Sequence, residues 1–358
     1  MTVSRRRVIG GAAALGAASL GAAALAGPAA AQTRPSGPVI DVHTHMFSAG
    51  WMDVVNASRN ENFHLGPDRA LMYRGTGIGR ISDEMLDWDL RIRDMDAAGV
   101  DIALISLTAP NVYWGSRQEN ARAARAINED FRDAARKYQG RIHWMASLPM
   151  QHEDDALAEL KRARADGCIG ICTLTNILGT PLTAPQYRRI WREVEAMALP
   201  VFVHPTTPFE DGMGLGQYGL ANSIGFTTES SLAFARMIYD GFFDEFPKIN
   251  MIACHGGGAL PYLIGRFDRM WHVGRTASAR TKQPPSAYVP RLWFDSIVYD
   301  DNTLRFLVDQ VGAGQVLYGS DYPFSLGDMK GIRERVDRLG AAMANRIRHE
   351  NARRIFDI

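Results

Sequence analysis

Four histidines and one aspartate lie at the ends of short apolar segments of this sequence. Two of the histidines form an H-x-H pair, and the other residues follow later segments; the set is His43, His45, His204, His255 and Asp321. Residues two apart on a strand project from the same face, so the H-x-H pair is predicted to converge on one point. Imidazole and carboxylate groups bind divalent cations. The set predicts a metal-centred catalytic site, whereas surface hydrogen bonding is the alternative for the H-x-H pair taken alone.

Eight apolar segments are predicted to be the strands that position these side chains. They are Val39–Val42, Ile102–Ser106, Ile142–Ala146, Ile169–Cys172, Val201–Val203, Met251–Cys254, Leu292–Phe294 and Val316–Tyr318. Their nearly continuous apolar character is typical of parallel strands that are buried on both faces. Between them, apolar residues at helical spacing predict helices at Glu119–Tyr138, Ala156–Ala165, Tyr187–Ala198 and Glu229–Phe246.

Alternating strands and helices in this number predict an α/β fold, a (β/α)₈ TIM-type barrel, in a single domain over residues 38–358. The carboxyl ends of barrel strands form the rim where active sites are assembled, and the five polar residues fall at such ends. A doubly wound sheet is the competing fold, but no G-x-G-x-x-G or P-loop sequence follows an early strand. Long loops are expected after the first strand, from Met46 to about Met85, and after the fifth, from Pro205 to about Gly225. Loops of this size usually form lids or binding walls.

Composition and charge exclude several classes of function. The chain has 358 residues, with 40 Lys+Arg against 39 Asp+Glu and a hydrophobic fraction of 46%. A net charge of +1 provides no global field for nucleic acid, so no nucleic-acid partner is expected. The 3 cysteines are too few for a disulfide framework.

Residues 1–31 have the layout of an export signal. Ser4-Arg5-Arg6-Arg7 precedes an uncharged apolar stretch, and small residues follow it up to Ala31. The paired arginines are typical of a twin-arginine signal, which a receptor reads and which is not an anchor. A transmembrane helix is the alternative, but the stretch is mostly Ala and Gly. The sequence therefore predicts a periplasmic or otherwise exported protein without stable membrane anchoring after signal removal.

Several motifs together resemble the amidohydrolase superfamily. They are Asp41-Val42-His43-Thr44-His45, Phe202-Val203-His204-Pro205, His255-Gly256-Gly257-Gly258 and Gly319-Ser320-Asp321-Tyr322-Pro323, supported by Arg91-Ile92-Arg93-Asp94-Met95-Asp96 and Leu148-Pro149-Met150-Gln151. The resemblance is narrower to the branch of 2-amino-3-carboxymuconate-6-semialdehyde decarboxylase and related carboxy-lyases. It extends from about Val39 to Phe356.

The resemblance implies a role for each residue of the set. His43, His45, His204 and Asp321 would hold one divalent metal, Zn²⁺ in the first place and Mn²⁺ as the alternative. His255 would be the catalytic acid/base, beside a tri-glycine turn that lets the backbone approach a ligand, and Asp321 could also act as a base. Cys254 alternates with His255 along the strand and is expected to pack in the barrel.

Three arginines are candidates for binding the substrate carboxylate, because a guanidinium group matches a carboxylate bidentately. Arg74 and Arg80 lie in the loop after the first strand, and the resemblance favours Arg80 slightly. Arg266 lies where similar enzymes have an arginine that reaches the neighbouring subunit's site, which implies a homodimer. A solvated surface charge is the alternative for each.

The leading hypothesis is a metal-dependent non-oxidative decarboxylase of a small unsaturated or aromatic carboxylic acid. The alternative in the same superfamily is a mononuclear hydrolase of a lactone or amide, and a periplasmic solute-binding protein is the third possibility. The fourth strand ends without the lysine that bridges two metals in many superfamily hydrolases, which favours a mononuclear site. Thr206 and Asn222 stand where semialdehyde decarboxylases carry tryptophan, so the sequence leaves the substrate open.

Overall fold

The barrel of this protein is built from eight parallel strands. The computed structural model describes residues 36–58, 60–206 and 214–358, and the predicted export signal lies outside these ranges. The strands are β1 (Ile40–His45), β2 (Ile102–Ser106), β3 (Ile142–Ser147), β4 (Gly170–Leu174), β5 (Val201–His204), β6 (Met251–Ala253), β7 (Leu292–Asp295) and β8 (Val316–Leu317). Each predicted strand segment overlaps one of them.

The strands pair in chain order, each parallel to the next. Backbone hydrogen bonds also join the first and last strands: Val42 N–H donates to the Tyr318 carbonyl at 3.0 Å, and Ser320 N–H donates to the His43 carbonyl at 3.1 Å. The sheet is therefore closed on itself, and the predicted (β/α)₈ barrel is confirmed.

Twelve α-helices accompany the strands in the described part of the chain. They are α1 (Ala49–Ala57), α2 (Trp88–Ala98), α3 (Arg117–Lys137), α4 (Glu153–Ala165), α5 (Arg188–Ala196), α6 (Phe226–Asp240), α7 (Phe242–Glu245), α8 (Leu260–His272), α9 (Asp301–Val311), α10 (Met329–Asp337), α11 (Ala341–Asn345) and α12 (Asn351–Ile355). The helix predicted over Glu229–Phe246 is two helices, because Gly241 has a left-handed backbone with φ 76° and ends α6.

The long segment after β1 contains regular structure of its own. It carries α1 and a small antiparallel sheet formed by Phe63–Leu65, Ala70–Tyr73 and Thr76–Arg80. These strands of three to five residues are too short to stand out in the sequence. After β5, residues 207–213 lie outside the described ranges, and a single π-helical turn at Ala221–Gly225 leads into α6.

Two apolar clusters stabilise the barrel. The larger one lies mainly between the strands and the helices around them. The smaller one fills the barrel interior below the rim and includes Ile40, Val42, Leu104, Phe202 and Cys254. Within the described ranges, no helix combines the length and apolar character needed to cross a membrane.

Candidate metal centre and active site

A β-bulge in β1 turns the H-x-H pair toward the barrel interior. Between Asp41 and Thr44 the strand advances three residues while β2 advances two, from Ala103 to Ile105. Ile40, which precedes the bulge, packs in the interior cluster. Strict alternation would then place both histidines on the outer face, but the extra residue reverses the alternation. Bulges commonly re-aim side chains beside active sites in this way.

Four potential metal ligands converge at the rim of the barrel. The Nε2 atoms of His43 and His45 lie 3.3 Å and 3.4 Å from Asp321 Oδ1. One potential ligand atom from each of these residues and from His204 lies within 4.8 Å of the others. All four residues are buried, so the structure brings together the complete ligand set predicted from the sequence.

The chemistry of these groups fits a divalent cation. His43 Nε2, His45 Nε2 and Asp321 Oδ1 are buried without a hydrogen-bond partner in the described structure. Leaving such atoms unsatisfied costs about 1–3 kcal/mol each. A cation bound between them would satisfy all three, which supports a buried His₃Asp site for one divalent metal.

The charge states of three ligands also favour metal binding. Burial lowers the pKa of His45 to about 4 and holds the pKa of His204 well below its ordinary value. Both rings are therefore neutral, the form that binds a metal. Burial alone would raise the pKa of Asp321, but the neighbouring His255 and His43 hold it well below its usual range, so the carboxylate is ionised.

The Nδ1 atom of each histidine ligand lies within hydrogen-bond distance of an oxygen atom. His43 Nδ1 lies 2.6 Å from Asp295 Oδ2, and His204 Nδ1 lies 2.8 Å from the carbonyl oxygen of the next residue. His45 Nδ1 lies 3.1 Å from the Ser106 hydroxyl and 3.3 Å from its carbonyl oxygen. A hydrogen bond from Nδ1–H fixes the tautomer and directs the Nε2 lone pair toward the metal.

His255 stands beside the ligand set without belonging to it. Its Nε2 atom lies 3.5 Å from Asp321 Oδ2, and its ring stacks on Phe226 with centroids 6.4 Å apart. Both His255 and Asp321 have left-handed backbones, with φ of 54° and 58°. Backbone strain of this kind concentrates at functional sites, where the surrounding structure maintains it.

The tri-glycine turn after His255 packs against the protein itself. A Cβ atom added at Gly258 would lie 2.1 Å from the Thr227 carbonyl oxygen of α6, and one at Gly257 would lie 2.7 Å from the Phe294 ring. The turn therefore lies close to α6 and β7, and the expected approach of its backbone to a ligand stays a prediction. Cys254 packs in the interior cluster as predicted, and burial raises the pKa of its thiol well above the ordinary value.

The three candidate arginines lie at exposed positions. Arg74 is in the turn before Thr76–Arg80, where its guanidinium lies 5.2 Å from the Tyr73 ring centroid, and Arg80 ends that strand. Arg266 lies on α8. Within the described ranges, none of them forms a hydrogen bond or ion pair with the metal-centre residues, so their roles stay predictions.

Two further residues support the site, and the sequence reasoning assigned neither of them a role in it. Asp295 ends β7, so the rule that identified the other rim residues would also have found it. Arg91 is fully buried and donates hydrogen bonds to the Thr44 hydroxyl and the His45 carbonyl, and its guanidinium lies 4.3 Å from the Tyr322 ring centroid. The guanidinium thus connects the bulge of β1 with the segment after β8. A buried arginine inside a polar helix gives no such signal in the sequence.

Aromatic side chains lie beside the metal centre. The Phe324 ring centroid is 5.6 Å from that of His45, and the Phe226 ring centroid is 6.1 Å from that of His204. Both phenylalanines are only partly buried. They therefore provide flat apolar surfaces next to the ligand set.

Comparisons with known proteins agree with this geometry. The family model of amidohydrolases (Amidohydro_2) matches residues 40–358. The chain is 31% identical over 301 residues to 2-amino-3-carboxymuconate-6-semialdehyde decarboxylase of Dictyostelium discoideum, which spans 81% of this chain and 83% of that protein. It is 30% identical over 293 residues to gamma-resorcylate decarboxylase of Rhizobium sp., spanning 75% and 87%.

A solved structure shares both the fold and a similar sequence. The crystal structure of 5-carboxyvanillate decarboxylase from Novosphingobium aromaticivorans, complexed with manganese and 4-hydroxy-3-methoxy-5-nitrobenzoic acid, has a TM-score of 0.78 at 26% identity. The match covers 90% of this chain and 96% of that chain. With a family match over nearly the whole barrel, this chain belongs to the amidohydrolase family, in its branch of carboxy-lyases.

Proposed function

We propose that this chain is a metal-dependent non-oxidative decarboxylase of a small aromatic carboxylic acid. The observation that carries the proposal is the convergence of His43, His45, His204 and Asp321 with a further imidazole, His255, left free beside them. The two relatives that are 31% and 30% identical to this chain are named as decarboxylases.

The chain's own groups can supply the proton transfer that this reaction needs. Loss of CO₂ from an aromatic acid requires protonation of the carbon that carries the carboxylate, which makes that carbon sp³. The C–C bond then breaks, its electron pair restores the ring, and CO₂ leaves. His255 delivers the proton to that carbon. Asp321, whose Oδ2 lies 3.5 Å from His255 Nε2, stabilises the imidazole of His255 while it is protonated. When bound, the divalent metal supplies Lewis-acid polarisation of substrate oxygens.

The surroundings of the site favour an aromatic substrate over an open-chain one. The partly buried rings of Phe226 and Phe324 flank the ligand set and can stack on a flat ring. A muconate-type acid remains the second candidate, because one of the relatives is named for such a substrate.

A screen for CO₂ release from metal-loaded protein tests the function. Hydroxybenzoates with a carboxyl group ortho to a hydroxyl, muconate-type acids, and aryl esters and lactones are supplied in parallel. We expect CO₂ release from at least one hydroxybenzoate, and its loss on metal chelation. Acid formation from esters or lactones without CO₂ would instead favour the hydrolase, and binding without turnover would favour the solute-binding protein.

The acid/base role is tested by His255→Asn, with His272→Asn as the matched control on an exposed part of α8. We expect kcat to fall by about 10²–10⁴ in the first variant, the usual contribution of general acid–base catalysis, with metal content unchanged. The second variant should behave like the wild type. Full activity of His255→Asn would remove this residue from the mechanism.

Zinc is our proposal for the resident metal, because three imidazoles and one carboxylate match its ligand preference. Manganese is the alternative and is bound by the similar 5-carboxyvanillate decarboxylase. Metal analysis of purified protein, followed by reconstitution of the apo-protein with each ion, separates the two.

We also propose a homodimer and export through the twin-arginine route. The dimer is supported by α8, where Tyr262 is 77% exposed one turn before Arg266. Light scattering of purified protein tests the dimer. We expect a single molar mass of twice the monomer, and the mass of a monomer would contradict the proposal. Export is supported by the layout of residues 1–31, in which the paired arginines precede an uncharged apolar stretch. Substitution of Arg5 and Arg6 by lysine should retain the protein in the cytoplasm.

A further inference from the structure

We propose that Asp295 is a positioning residue that couples the metal ligand His43 to the acid/base residue His255. The inference rests on the proposed function only for the role of His255. Asp295 is the last residue of β7 and is fully buried. Its two carboxylate oxygens contact four groups, and these belong to both halves of the site.

The first half is the metal ligand. Asp295 Oδ2 lies 2.6 Å from His43 Nδ1, and both side chains have no exposed surface. A carboxylate can only accept a hydrogen bond, so Nδ1 must carry the proton. Nε2, on the opposite side of the ring, then presents its lone pair toward Asp321 and the other ligands.

The second half is the turn that carries the acid/base residue. The same Oδ2 atom accepts a hydrogen bond from His255 N–H at 2.9 Å, and Oδ1 accepts from Gly256 N–H at 2.9 Å. Oδ1 also accepts from Ile297 N–H at 3.1 Å. These bonds stabilise the turn in which His255 has its left-handed backbone, with φ of 54°. One carboxylate therefore fixes the orientation of one imidazole and the backbone of another.

The same contacts argue against two other roles for Asp295. Each carboxylate oxygen already accepts two groups, so neither is free for substrate. His43, Cys254 and Asp295 also lie close enough to one another for a second metal. However, His43 directs only Nδ1 toward this group, and that atom donates to Asp295; the thiol is fully buried and protonated. We therefore expect one metal per chain, not two.

Asp295→Asn tests the coupling, with Asp300→Asn as the matched control at the exposed N-terminus of α9. An amide NH₂ facing Nδ1 favours the wrong tautomer of His43, and loss of such a partner typically weakens metal binding about 10–100-fold. Titration of the apo-proteins with Mn²⁺, followed by electron paramagnetic resonance, should show this loss for Asp295→Asn alone. With saturating metal, kcat should still fall at least tenfold while KM changes little, because the turn that carries His255 has moved. Unchanged metal affinity in folded Asp295→Asn would overturn the proposal.

A measurement on the wild-type protein keeps the test independent of whether Asp295→Asn folds. In the zinc-loaded protein labelled with ¹⁵N-histidine, His43→Gln assigns the His43 signals by their loss. We expect His43 to have a protonated Nδ1 in a strong hydrogen bond and a metal-bound Nε2. A metal-bound Nδ1, or two metals per chain, would refute the assignment of Asp295. These readouts need no substrate, so failure of the proposed decarboxylase activity would be seen separately as the absence of CO₂ release.

Discussion

Metal binding by this protein should release one proton over a wide pH range, and His43 is its source. Burial acts to lower the pKa of this imidazole, but Asp295 and Asp321 outweigh it and raise the pKa to about 10. Asp295 lies 2.6 Å from one ring nitrogen and Asp321 lies 3.3 Å from the other. In the metal-free protein the ring is therefore an imidazolium, and a cation must displace the Nε2 proton to bind.

The pKa values of the other ligands determine how steeply the metal Kd changes with pH. The pKa of His45 is lowered to about 4, and the pKa values of His204 and Asp321 are held well below their ordinary values, so none of these groups titrates near neutrality. Between pH 6.5 and 8.5 the Kd should fall about tenfold per pH unit, because one proton is displaced. At pH 7.5 this proton weakens binding by about 3 kcal/mol relative to a fully deprotonated site.

Isothermal titration calorimetry of the apo-protein with Mn²⁺, in buffers of different ionisation enthalpy and at several pH values, measures the number of protons released and the Kd. We expect one proton released per metal, and a plot of log Kd against pH that is linear with a slope near −1. Three histidines with ordinary pKa values near 6.5 would instead give a Kd that levels off above about pH 7.5. Such a plateau would refute the electrostatic reasoning about His43.

Three further predictions address packing and substrate binding. Gly258→Ala should lower the free energy of unfolding by more than about 3 kcal/mol, because the new Cβ meets a carbonyl oxygen at 2.1 Å in a left-handed backbone. Gly265→Ala, at a position on α8 with open space around it, should raise the free energy of unfolding by about 0.5–1 kcal/mol. Equal melting temperatures of the two variants would contradict this prediction. Phe226→Ala should raise KM for an aromatic acid about tenfold by removing a stacking ring, and steady-state kinetics with an unchanged KM would exclude that contact. If Arg80 binds the substrate carboxylate, Arg80→Gln should raise KM at least tenfold while Arg74→Gln does not, and the reverse order would assign the role to Arg74.

Much of the barrel was predictable because its strands are local signals. A buried parallel strand gives a short run of consecutive apolar residues, and the polar residues that follow such runs fall at the rim. His204 and Asp321 could be placed in this way without any knowledge of their distant partners. The same reasoning applied to β7 would have identified Asp295, whose role depends on two hydrogen-bonded neighbours that only the folded structure reveals.

The bulge in β1 could not be read from the sequence. Alternation correctly predicted that His43 and His45 share a face, but it could not say which face, because that depends on pairing with β2. Arg91 was equally hidden, since its partners are a hydroxyl and a carbonyl of another strand. Features set by long-range pairing are outside the reach of local patterns, and they determine how the ligands are aimed.

The seam between β1 and β8 has a consequence for when this protein can acquire its ion. The His43 carbonyl accepts hydrogen bonds from the N–H groups of both Ser320 and Asp321, so the start and the end of the barrel meet at the ligand set itself. The chain must be synthesised through Asp321 before the last ligand exists, and the first and last strands must then pair. Cation loading is thus a late event that requires the closed barrel.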